Sequence, residues 1–217
     1  MANRHRRRNN ARVSSGARQD TKQQQKNFMK YGLGAVAAIV VVAAVVIAVA
    51  SSSGSSGEGE QAQDFNFSLF QGIEEVGFRE GNFASLQGKP VILNFWAGLC
   101  PPCRAEMPQF QLFYEEFKDE VLLLGIDIGV FTGLGSRSDA EALLRELGVT
   151  YPAGWTEDGS VPRKYGVTAM PTTVFISSDG TIFERGVGAI DANFLARASR
   201  EMLAAEAEAA AGTTQGG

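Results

Sequence analysis

Residues Tyr31 to Ala50, YGLGAVAAIVVVAAVVIAVA, contain no charged side chain. As a helix, a run of about 20 apolar residues crosses roughly 30 Å of hydrocarbon. A helix of that length at the surface of a soluble domain would carry a polar stripe, and none is visible. The run therefore divides the chain into a short N-terminal arm and a longer C-terminal remainder.

The two sides differ in charge. Residues 1–30 hold nine Lys/Arg, including the cluster RHRRR, against one Asp; the rest holds 11 basic and 23 acidic residues. An excess of basic residues marks the cytoplasmic flank of a spanning helix. The expectation is a basic cytoplasmic arm (1–30), a single-pass transmembrane anchor (31–50) and an extracytoplasmic remainder. Ala48-Val49-Ala50 also fits a signal-peptidase site, but the length of the run and of its basic flank favours a retained anchor. A nucleic-acid role for the arm is the lesser reading, because a topology signal beside the membrane explains the same charges. Ser51 to Gln63, rich in Ser, Gly, Glu and Gln, reads as a flexible linker.

A folded domain is expected over 64–207, followed by a disordered tail at 208–217. Phe65 to Leu86, broken by glycines, suggests a hairpin or irregular strands. Val91 to Trp96 is apolar apart from Asn94 and suits a strand buried on both faces. Pro101 to Lys118 has helical spacing, with Pro108 expected to kink it. VLLLGIDI (121–128) reads as a second buried strand, and 138–147 as an amphipathic helix capped by Ser138 and stopped by Gly148. One helical turn is expected at 160–165. Strands at 172–177 and 181–188 flank Ser178-Asp179-Gly180, a hairpin signal. A last helix begins at Asp191. This order predicts an α/β fold: a mixed central sheet with flanking helices.

Both cysteines lie in WAGLCPPCRAEMP (96–108). Cys100 falls between a strand end and a helix start, where free N–H groups and the helix dipole favour a thiolate. Cys103, one turn on, can resolve a mixed disulfide formed at Cys100. Pro101 and Pro102 offer no N–H to the sulfur. Other uses of the pair fare worse. A disulfide closing so short a loop stabilises by only about 2 kcal/mol. A zinc site needs further ligands, but there is no other cysteine, and the one histidine, His5, lies across the membrane. Haem attachment needs a His after the second Cys, where Arg104 stands.

GKPVILNFWA, CPPCRAEMP, GVTAMPTT (166–173) and the SSDG turn together resemble the TlpA/ResA-like membrane-anchored thioredoxin family over roughly residues 64–205. The resemblance implies a thioredoxin-like fold with a cis Pro171 facing the cysteines. Met170 would pair with a substrate strand, and the activity would be thiol–disulfide exchange without a cofactor. Leu99 stands where the family carries Trp, keeping an apolar contact surface. Trp96 is a further candidate for the groove. Glu106 matches the family's Glu after the motif and is the candidate for proton transfer; Asp127 is an alternative acid. The implied role is reductive, acting on exported proteins, for example in cytochrome c maturation, with a membrane electron donor of thiol–disulfide interchange type. Three rivals use the same domain: an oxidase of opposite poise, a peroxidase (though Ala97 stands where a peroxiredoxin has Thr), and a non-enzymatic tethered binding module.

Overall fold

The computed structural model describes residues 59–214. The basic arm, the apolar run 31–50 and most of the expected linker lie outside the described residues. Among the described residues, no helix is long and apolar enough to cross a membrane.

The elements in chain order are β1 (Asn66–Gln71), α1 (Ile73–Val76), β2 (Glu80–Asn82), a 3-10 turn (Phe83–Leu86), β3 (Val91–Trp96), α2 (Pro101–Phe117), β4 (Leu122–Asp127), α3 (Gly129–Thr132), α4 (Arg137–Leu147), β5 (Ala153–Trp155), α5 (Val161–Lys164), β6 (Thr172–Ile176), β7 (Ile182–Val187) and α6 (Ala192–Thr214). The seven strands form one sheet in the order β2-β1-β5-β4-β3-β6-β7. The pairs β3–β4 and β4–β5 are parallel; the others are antiparallel. The expected mixed sheet is therefore present.

Strand periodicity sorts the core into two halves. Ile92 and Trp96 of β3, with Leu123 of β4, face α2, α4 and α6. Val91, Leu93 and Phe95, with Leu122, Leu124 and Ile126, face the opposite layer of Phe65, Phe67, Phe83 and Tyr165. Both faces of β3 and β4 are buried, as parallel strands require.

Several boundaries differ from expectation. The folded body starts before Asp64: Gln61 bridges Thr181, Ala62 N–H donates to Gly180 O (2.9 Å), and Glu60 O accepts from Ile182 N (2.7 Å). Residues 60–62 thus belong to the hairpin edge rather than to a tether. At the other end, α6 continues through Thr214, so residues 208–214 are helical; the Ala- and Glu-rich sequence after Leu203 favours helix. The N-cap of α4 is Ser136, not Ser138: Ser136 Oγ accepts from Asp139 N (3.3 Å), and Asp139 Oδ2 accepts from Ser136 N (2.8 Å), a capping box. Gly148, at φ 65°, ends this helix as expected. α2 runs unbroken through Pro108.

Candidate active site

The parallel register brings the C-terminal ends of β3 and β4 level, with Trp96 beside Asp127. On the other side of β3, Phe95 pairs with Thr172. Pro171 therefore sits next to the strand end from which the cysteine turn emerges. The Met170–Pro171 bond is cis, as the resemblance implied.

Cys100 is the N-cap of α2, with extended backbone (φ −90°, ψ 108°). Pro101 and Pro102 lack an N–H, so Cys103 supplies the first free donor of the helix. That N–H points at Cys100 Sγ, 3.3 Å away. The prolines leave the sulfur with one donor rather than several. The two sulfurs form a disulfide. Cys100 is 2% exposed and Cys103 is fully buried, so an incoming sulfur meets Cys100 first.

The turn before Cys100 is held from behind. Leu99 N–H donates to Leu134 O (2.7 Å), while its side chain is 59% exposed. A Cβ on Gly98 would collide with the backbone of Asp139 and Ala140, so the first turn of α4 packs directly on the Gly98 backbone. Asp127 is buried beneath this turn. Its Oδ1 accepts from Gly129 N (3.1 Å), and Gly98 N–H also bonds to it. Burial, opposed by those donors and by Arg137, pushes its carboxyl up to about 6.

Glu106 lies one turn beyond Cys103 on the same inner face of α2 and is 2% exposed. Its Oε1 accepts from Asn94 Nδ2 (2.9 Å) and its Oε2 from Ile190 N (3.1 Å). Burial outweighs these donors and pushes the carboxyl up to about 7. A carboxyl with its midpoint near neutrality can both accept and return a proton at ordinary pH.

The other sequence candidates separate. Met170 is half-buried and touches both halves of the core; Pro171 is buried. Trp96 does not line a groove. It is fully buried, because it shares the face of Ile92 and Asn94 that α2 covers. Sequence reasoning missed Tyr151, buried on the same side of the sheet. It gave no motif signal, although an aromatic before Pro152 and β5 pointed toward the core.

The AhpC/TSA family model matches residues 59–185, more than half of the chain. This chain belongs to that family. Within it, the thiol-disulfide oxidoreductase ResA of Oceanobacillus iheyensis is 37% identical over 132 residues, 61% of this chain and 66% of that protein. ResA of Halalkalibacterium halodurans is 32% identical over 130 residues, 60% of this chain and 68% of that one. The chain is thus ResA-like, and the match spans about two thirds of these relatives' length. Among solved structures, StoA of Bacillus subtilis aligns with TM-score 0.53 at 23% identity, covering 64% of this chain and 97% of that one. A thioredoxin-family thiol:disulfide interchange protein of Chlorobium tepidum gives 0.56 at 22%, covering 69% and 99%. At such identities the likeness is one of fold, and the fold is thioredoxin-like.

Proposed function

We propose that this chain is a thiol–disulfide oxidoreductase, tethered to the membrane by residues 31–50, whose domain works outside the cytoplasm as a reductant of exported proteins. The observation that carries the chemistry is the Cys100–Cys103 pair at the start of α2, with a buried acid one turn behind the inner sulfur. The names of the ResA relatives point to the same reaction. The tether and the orientation rest on the apolar run and its basic flank.

In the reduced enzyme, the Cys100 thiolate attacks a substrate S–S bond. One substrate sulfur leaves as a thiolate, and a mixed disulfide remains on Cys100. Cys103 then gives its proton to the Glu106 carboxylate and attacks Cys100 Sγ. The second substrate thiolate leaves, and the enzyme holds its own disulfide. Re-reduction runs the steps backward: one thiolate of a donor dithiol attacks Cys100 Sγ, Cys103 departs and takes its proton from Glu106, and the donor's second thiol then displaces Cys100 as a thiolate, leaving the donor as a disulfide. Two electrons and two protons pass in each direction. Leu99, Met170 and Pro171 border the cysteines and would hold the substrate chain, with Met170 offering backbone for strand addition. The donor would be a membrane thiol–disulfide interchange protein, and apocytochrome c before haem attachment fits the substrate class.

The experiment is trapping. Cys103→Ser should accumulate a mixed disulfide with a model protein disulfide, because nothing resolves it. Cys100→Ser should accumulate none. Equal behaviour of both variants and wild type would remove the exchange reading.

A further inference from the structure

On the sheet face beneath α2, four polar side chains have almost no contact with solvent: Asn94, Trp96, Glu106 and Tyr151. Glu106 receives two donors, Asn94 Nδ2 and Ile190 N. An ionised carboxylate has about four acceptor sites, so two donors leave it underserved once its proton has gone. Nearby polar atoms lack partners. Tyr151 hydroxyl, Trp96 Nε1 and Asn94 Oδ1 are buried and have no hydrogen-bond partner among the described residues. Orphans of this kind are uncommon and each calls for a reason.

The sheet register groups them. Asn94, Gly125 and Ala153 lie in one row across β3, β4 and β5. Gly125 has no side chain to fill its place. A Cβ there would stand 2.9 Å from Trp96 Nε1 and 3.3 Å from the Tyr151 ring. Trp96 and Tyr151 thus close in over a glycine, beside the acid. Burial, with the charge of Glu106 adding to it, pushes the Tyr151 phenol well above its ordinary value. Tyr151 is therefore no proton source near neutrality, but its hydroxyl remains a hydrogen-bonding group.

Of the three orphans, the indole N–H can only donate and the Asn94 oxygen can only accept. The hydroxyl can do either. We propose that Tyr151 is a positioning residue for Glu106: its hydroxyl accepts from the acid form and donates to the carboxylate, so the proton exchanged with Cys103 can leave and return without stranding a buried charge. The contact runs through one bridging water, because the hydroxyl has no direct partner among the described residues. This role rests on the exchange chemistry proposed above. The titratable groups facing Glu106 are Cys103 on its own helix and Tyr151 ahead of β5. β3 and β6 present Asn94 and Thr173, the segment before α6 presents the Ile190 N–H, and no charged side chain contributes to the shift of Glu106. Asp127, on the same sheet face, answers to Arg137 and Asp139 instead.

The test uses the full chain, reduced, with oxidised glutathione as the disulfide, across pH 5–9. The rate of Cys100–Cys103 closure is read for wild type and Tyr151→Phe, with melting temperature alongside. Loss of the hydroxyl should move the midpoint up by about one unit, so that closure at pH 6 slows about tenfold. The melting temperature should stay near wild type below about pH 6, where the acid keeps its proton, and fall above about pH 8, where the carboxylate has lost a donor. An unmoved midpoint with a raised melting temperature would overturn the role and leave the hydroxyl merely unpaired. Wild-type protein that fails to exchange would overturn the enzyme reading and this role together; a wild type that exchanges beside an unaltered variant overturns this role alone. A second measurement needs no Tyr151 variant. In the disulfide form, the Tyr151 ring ¹³Cζ signal should step with a midpoint near 7 and lose that step in Glu106→Gln. A flat wild-type signal would contradict the contact.

Discussion

Two buried tyrosines mark two differently built halves of one core. Tyr165, in the layer with Phe65, Phe83 and Phe95, donates its hydroxyl to Gln63 O at 2.6 Å. The rings of Phe65, Phe83 and Phe95 meet it edge-on or tilted at centroid distances of 5.1 to 6.2 Å. Tyr151, in the layer under α2, has a hydroxyl without a partner among the described residues. Its neighbourhood also holds the two buried carboxyls, Glu106 and Asp127, and both cysteines. At Tyr165 the aromatic half pairs its buried hydroxyl, the ordinary requirement for a buried polar group. The half under α2 violates it where the proposed proton transfer takes place.

The comparison can be broken by substitutions that act on one half only. The largest effect is expected at the reactive sulfur: Cys100→Ser should reduce disulfide exchange to background while the melting temperature measured in reductant stays near wild type. A variant that still exchanged would misplace the nucleophile. On the aromatic side, Phe95→Ala should cost about 3–5 kcal/mol in denaturant unfolding. Its exchange rate per folded molecule should remain near wild type; a parallel loss of rate would show that the two halves are coupled.

Glu106→Gln should act in the opposite sense on the two readouts. Exchange should fall about a hundredfold, the lower end of what a positioned acid or base contributes. Stability should rise above pH 7, by about 1–3 kcal/mol, because a buried charge is removed. The sign comes from linkage. Glu106 and Asp127 have folded-state values raised from 4.5 to about 7 and from 3.8 to about 6. Their contribution is fully present below the ordinary carboxyl values and is lost as pH rises through the folded ones. Wild-type stability should therefore decline between about pH 4 and 7 through these two groups, and the Gln variant should decline less. Equal slopes in urea titrations would contradict the buried acid. The smallest effect separates the tyrosines themselves: Tyr165→Phe should lose about 1 kcal/mol with its bond to Gln63 at every pH, whereas Tyr151→Phe should lose stability only above about pH 7, where Glu106 is ionised.

Much of this division was legible in the sequence. The apolar runs 91–96 and 121–128 could only be strands covered on both faces, and the spacing of Cys103, Glu106, Met107 and Phe110 turns the acid inward with the second cysteine. Period-two alternation alone places Trp96 with Ile92 and Asn94, under α2 rather than in a groove. Other features had weaker signals. β5 is three residues, Ala153–Trp155, too short to show alternation, and its place between β1 and β4 depends on pairing from distant parts of the chain. Ser136 outcompeted Ser138 as a cap because Asp139, three residues on, completes a reciprocal pair. Tyr151 could not be singled out, since its significance comes from Gly125 and Glu106, far from it in sequence.

The most direct test of the central claim is the reduction potential of the Cys100–Cys103 couple, taken from the full chain equilibrated in thiol/disulfide buffers and trapped by rapid alkylation. Reductive exchange predicts a value near or below about −230 mV. A value near about −120 mV would make the protein an oxidant, and a pair that never exchanges would leave only a tethered binding module.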